Sequence, residues 1–204
     1  MSETEETEYI TVYSTNSDTK KDLINILPLP QNSHAFTKED NVPIKTITII
    51  SDLLNNICEE SQSKKNLKDN NIYIKSFMTK NIPSVSIKNY LLRLFQHTKM
   101  NESTIILILI YIDRVCNINN LSLSYFNIYK LILGAMIVAI KYNEDRFYST
   151  KLYAKLGGVS TFELNVLEFE FLTLINFSLF VEEDLFNKYN EYLISFQDEE
   201  EEEE

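Results

Sequence analysis

The sequence predicts an all-α protein, a five-helix bundle around a buried central helix with one flanking helix on each side. Three observations lead there. Between Lys130 and Lys141 lie ten residues, Leu131 to Ile140, with no charge among them. They are apolar all round rather than along one stripe, the pattern of a helix enclosed by others. No proline follows Pro83, so 121 residues pass without a helix breaker. Finally, Ser and Asn recur just ahead of apolar-periodic runs, where helix N-caps belong.

Taken in order, residues 1–43 are polar and acidic with Pro28, Pro30 and Pro43, and read as an irregular extension. A short ordered piece is expected around Leu23–Leu29. Thr46–Ser61 places Ile47, Ile50, Leu53, Leu54 and Ile57 near helical spacing, and forms a first helix. A polar connector, Gln62–Asn71, closes this 44–71 segment. Ile72–Pro83 reads as extended or irregular, because Pro83 biases Ile82 away from helix. Ser86 then caps Ile87–Thr98, which turns Leu91, Leu94 and Phe95 inward.

Asn101 opens the next helix, whose centre, Ile105–Ile112, is as apolar as the Leu131 run. Ser124 caps the central helix, Tyr125–Asn143. Its Gly134, Ala135, Val138 and Ala139 let neighbouring backbones approach. A glycine in a helix costs about 1 kcal/mol relative to alanine, so its presence argues for close packing. Ser149 caps Thr150–Leu156, and Gly157-Gly158 stops that helix in left-handed geometry. Ser160-Thr161-Phe162-Glu163 is a capping box opening Thr161–Asn176. Glu182, Glu183 and Asp184 suit the first turn of a last helix through Ser195. The five-helix unit with its C-terminal flanking helix therefore spans 72–196, after the N-terminal helix and connector of 44–71 and before an acidic tail, 197–204.

The formal charge of −11 belongs to the ends: Glu3, Glu5, Glu6 and Glu8, with the seven acids from Asp198 to Glu204, account for all of it. Residues 9–197 are net neutral, without the cationic footprint nucleic-acid binding requires. The apolar runs are too short for a bilayer, which needs roughly 18–20 residues. MSETEETEY is the opposite of a signal peptide. Cys58 and Cys116 cannot build a disulfide framework and lack zinc-ligand spacing. An intracellular protein of the nucleus or cytoplasm is expected, with no membrane partner.

Nothing in the sequence reads as catalytic. His34 and His97 stand without triad or ligand partners. Gly157-Gly158 has no following Lys-Ser/Thr to make a phosphate cradle. Glu168 and Glu170 point to different helix faces. No cofactor, metal or small-molecule substrate is expected.

Two charges do stand out. Lys141 follows Ile137 and Val138 on the central helix's apolar surface, and Glu168 is bracketed by Leu164, Phe171 and Leu172. A charge on an apolar face is costly unless paired. Either the two form an internal salt bridge, or both lie at an interface and bond a partner's backbone. Val138, Tyr142, Leu172, Phe177 and Leu179 form a second group, readable as ordinary core. Phe177 and Leu179 fit that reading less well, since they fall beyond the helix.

These residues resemble the cyclin family, and most closely its P-type and U-type members, related to the phosphate-regulon cyclin of yeast. The resemblance covers roughly Phe77–Tyr192. It is carried by Pro83-Ser84-Val85-Ser86-Ile87-Lys88-Asn89-Tyr90-Leu91-Leu92-Arg93-Leu94, by Tyr111-Ile112-Asp113-Arg114 and by Ala139-Ile140-Lys141-Tyr142-Asn143-Glu144-Asp145. Tyr153 to Ser160 and Glu163 to Glu168 complete it, in family order.

The resemblance implies a single cyclin box with Tyr125–Asn143 as its central helix. It also implies a heterodimer with a cyclin-dependent Ser/Thr kinase, in which the chain is an activator and performs no chemistry. By the same matching, Lys141 and Glu168 contact the backbone around the kinase's αC helix. Val138, Tyr142, Leu172, Phe177 and Leu179 form the apolar surface against that helix. A cyclin-fold adaptor that activates nothing is the alternative; a DNA-contacting cyclin fold is disfavoured by the neutral core. Two features of cell-cycle cyclins are not expected here: the 24 residues after Phe180 are too few for a second five-helix repeat, and Ser86–Leu94 lacks the Met-Arg-Ala-Ile-Leu substrate-docking pattern.

Overall fold

A computed structural model of the chain describes residues 44–63 and 74–202, with side chains through residue 196. Among these residues the structure is entirely helical, without a strand. The extension 1–43, its Leu23–Leu29 piece and most of the connector lie outside the described residues.

Helix α1, Ile44–Ser63, buries Ile47, Ile50, Leu53 and Leu54 against the α3 helix, Ile87–Thr98. Between them, where the sequence predicts an extended or irregular stretch, lies a helical turn, α2, Ile74–Phe77. Four residues are too few to show a period. The turn is held instead by its two buried side chains, Ile74 and Phe77, the latter edge-on to Phe171 at 6.2 Å. Ser86 caps α3 as expected, accepting from the Asn89 N–H at 3.2 Å. Helix α4, Glu102–Asn119, is buried continuously from Thr104 to Asp113.

Helix α5, Ile128–Asn143, is the axis of the bundle. Every residue from Leu131 to Ile140 is buried, and the helix packs chiefly on α4 and on α7, Thr161–Leu174. A Cβ at Gly134 would lie 3.0 Å from Phe171 and 3.1 Å from Phe77, so the glycine marks where α7 and α2 close on α5. The start differs from expectation. Ser124 does not cap α5; residues 124–127 form a separate turn, in which Asn127 Oδ1 accepts from the Ser124 N–H at 2.8 Å. The Asn127 amide also donates to Ser122 O at 2.9 Å. This doubly bonded asparagine delays the helix to Ile128.

Helix α6, Thr150–Gly157, stops at Gly158, whose φ of 73° is the left-handed region a glycine enters freely. Ser149 has N-cap backbone geometry but makes no side-chain cap bond. The capping box at α7 is half realised: Ser160 Oγ accepts from the Glu163 N–H at 3.0 Å, while the Glu163 carboxylate turns to Lys130 at 2.8 Å. Helix α7 ends at Leu174 rather than Asn176, because Asn176 and Phe177 adopt φ of 53° and 55° and reverse the chain. The last helix, α8, Glu183–Glu202, lies against α1 and α4 and carries helical backbone into the stretch read as a tail.

Candidate functional site

The enclosure of α5 ends at Ile140, and its last turn emerges with Lys141, Tyr142 and Asn143 exposed. Lys141 Nζ donates to both oxygens of Glu168, at 2.6 and 2.7 Å. The side chains are 35% and 18% exposed, so the pair sits at the rim of the core and in reach of solvent. Of the two readings left open by the sequence, the internal pair is formed. It does not consume the pair's bonding capacity. An ammonium has three donors and a carboxylate about four lone-pair sites.

An apolar collar adjoins this pair in sequence. Tyr142 is 50% exposed and Phe177 60%, while Leu172 and Leu179 are partly buried against the core. Val138 does not belong with them. At 3% exposed it is core, since α5 is still enclosed one turn before it emerges, and it can only support the face from inside.

Phe177 and Leu179 lie on a strap between α7 and α8, and α4 fixes its course. The left-handed pair Asn176–Phe177 starts the strap, with the Phe177 N–H bonded to Leu172 O at 2.8 Å. Three successive carbonyls are then gripped. Arg114 Nη1 donates to Ser178 O, Tyr111 Oη donates to Leu179 O at 2.8 Å, and Arg114 Nη2 donates to Phe180 O at 3.2 Å. Burial pushes the Tyr111 phenol up, Tyr142 adds to the shift and Arg114 opposes it. The hydroxyl therefore remains a neutral donor. Between these two residues, buried Asp113 accepts from Tyr189 Oη of α8 at 2.6 Å. The tetrad Tyr111-Ile112-Asp113-Arg114 thus secures the strap with its outer members and α8 with its aspartate.

Sequence reasoning missed Phe180, 65% exposed on the same strap. It also missed a groove of about 530 Å³ lined by Ser103, Leu107, Tyr142, Phe180, Val181 and Phe186. The only signal for either was an aromatic in an apolar run after the helix, indistinguishable from core until the chain reversal is known. His97 is exposed on α3 and has no role in this face. Neither Cys58 nor Cys116 is in a disulfide, and burial, with a smaller contribution from Glu59, pushes the Cys58 thiol up to about 12. Among the described residues no cluster could hold a metal ion, and no helix is long and apolar enough to cross a membrane.

The cyclin family model matches residues 44–179, from the start of α1 through Leu179 of the strap. The chain belongs to the cyclin family. This cyclin is similar to cyclin-U4-1 of Arabidopsis thaliana, with 31% identity over 160 residues covering 78% of this chain and 79% of the relative. Cyclin-U2-2 of the same plant is 32% identical over 162 residues, covering 77% and 70%. The PHO85 cyclin-like protein psl1 of Schizosaccharomyces pombe is 33% identical over 122 residues, covering 59% of this chain and 50% of that one. The resemblance to U-type and P-type cyclins is thereby established, and the all-helical fold is that of a cyclin box. The Lys141–Glu168 pair and the collar around it all fall within the matched residues.

Proposed function

We propose that this cyclin is the regulatory subunit of a cyclin-dependent Ser/Thr kinase, which it binds through Lys141, Glu168, Tyr142, Leu172, Phe177 and Leu179. The observation that carries the reading is the Lys141–Glu168 pair, 2.6 Å apart, placed where the buried axis meets solvent and adjoined by exposed aromatics. A lysine with a spare N–H beside a glutamate with spare lone pairs presents a donor and an acceptor side by side. That combination suits a peptide unit, whose C=O and N–H are presented together. The apolar collar suits one face of an amphipathic helix, and in kinases αC is such a helix.

Activation follows from differential affinity. The catalytic Lys–Glu pair of a kinase forms only with αC swung inward. A subunit that binds the inward state preferentially shifts the population toward it, by no more than its difference in affinity for the two states. The cyclin itself supplies no catalytic group.

The name of the S. pombe relative makes a PHO85-type kinase the first candidate. Mixed with purified kinase, the cyclin is expected to form a stable complex and raise phosphotransfer to a peptide substrate. Lys141→Glu and Glu168→Lys should each weaken binding by about 100-fold, as expected when one partner of a desolvated charge pair is inverted. Unchanged binding in both variants would refute the interface. A tight complex without a gain in phosphotransfer would leave an adaptor instead of an activator.

A further inference from the structure

The last turn of α5 is tied to a distant part of the chain. Glu144, one residue beyond the helix, turns its carboxylate onto the start of α4. Its Oε1 accepts from the Asn101 N–H at 2.7 Å and from Thr104 Oγ1 at 2.5 Å, and Oε2 accepts from Asn101 Nδ2 at 2.8 Å. Asn143 adds a rung, its amide donating to Thr104 Oγ1 at 2.8 Å. Asn101 occupies the N-cap of α4 without making a side-chain cap bond, so Glu144 supplies the anion at that helix terminus. Thr104 is fully buried, which anchors the arrangement in the core.

Lys141 and Tyr142 lie between this anchor and the enclosed part of α5. We infer that Glu144 is a positioning residue: by bonding the start of α4 it fixes the last turn of α5, and with it Lys141 and Tyr142, before any partner arrives. Residues already ordered in the free protein do not have to be ordered on binding, which is where preorganisation adds affinity. The binding arm of this inference rests on the proposed kinase interface; the conformational arm does not.

Two measurements on the full chain separate these arms. Amide hydrogen exchange in the free protein should speed up at Lys141, Tyr142 and Asn143 by about tenfold in Glu144→Ala, while Leu133–Ile137 stay protected. Thr104→Val, an isosteric change on the other side of the contact, should accelerate the same amides by a smaller factor. Kinase affinity should fall about tenfold in Glu144→Ala and recover in part in Glu144→Gln, whose carbonyl oxygen still accepts. Added to Lys141→Ala, Glu144→Ala should weaken binding by less than twofold, because the group it positions is gone. Unaltered exchange in the last turn, or losses that multiply in full with Lys141→Ala, would reduce Glu144 to a cap of α4 and overturn the inference. A wild-type chain that binds no kinase would sink the interface instead, and the exchange data would still decide whether Glu144 orders the turn.

Discussion

Lys130–Glu163 and Lys141–Glu168 join the same two helices, α5 and α7, one pair at each end of the buried run, at 2.8 and 2.6 Å. Their chemistry is identical and their surroundings are not. Lys130 is 19% exposed and also donates to the carbonyls of Ser76, at 3.1 Å, and Met78, at 3.4 Å. Its three donors are thus consumed inside the fold, where they fasten α2 and the chain after it. Among the described residues Lys141 makes no such additional bond, and it is followed directly by an exposed tyrosine. An ion pair alone therefore says little about function. What separates a candidate site from a fastening is spare bonding capacity beside exposed apolar surface.

The change with the largest expected effect acts on both pairs together. Gly134 lies between them, where α5 meets Phe171 of α7 and Phe77 of α2. Gly134→Val would drive two methyls into rings already 3.0–3.1 Å from a Cβ at that position. Overpacking of this kind should cost about 3 kcal/mol and lower the melting midpoint by roughly 10 °C. Stability and kinase affinity should decline together as α7 is pushed from α5. A variant as stable as the wild type by thermal denaturation would show that this contact is looser than described.

That glycine was legible in the sequence, and the reason is physical. A helix-destabilising residue amid nine apolar ones has no cheaper explanation than close packing. The caps at Ser86 and Ser160 were legible because they bond within three residues. The features that escaped depend on partners far along the chain. The α2 turn is held by Phe171, and Asn127 is fixed by its own turn instead of by any periodicity. Glu144 read only as a polar helix end, because Asn101 stands 43 positions away. Helical spacing leaves Val138 readable as core, and only the family resemblance puts it on the partner-facing surface; neither says where along the helix the enclosure stops, and Val138 falls inside it. The position of Phe177 depends on two left-handed residues, one of them a phenylalanine, and a non-glycine at positive φ has no dependable sequence signal.

An intermediate effect is expected at the fastening end. Lys130→Ala removes the ion pair and the bonds to two carbonyls, and should cost about 1–2 kcal/mol in urea denaturation. It should leave kinase affinity unchanged, the reverse of the pattern at Lys141. If Lys130→Ala weakened binding as much as Lys141→Glu, the contrast between the ends of α5 would fail. The face would then have to extend along the whole helix.

The smallest effect on stability, and the finest discrimination, belongs to the charge swap Lys141→Glu with Glu168→Lys. A partly exposed pair contributes about 0.2–1 kcal/mol, so each single inversion costs little and the swap should restore most of it. For the fold the two orientations of the pair are nearly equivalent. For a bound peptide unit they are opposite: the donor stands where the acceptor stood, and a partner carbonyl meets a carboxylate. Stability should therefore recover in the double variant while kinase affinity stays near that of the single variants, read by urea titration and by equilibrium binding on the same samples. Recovery of both would mean that the pair only braces α5 against α7, as Lys130–Glu163 does. The proposed recognition would then rest on the collar of Tyr142, Phe177 and Leu179 alone.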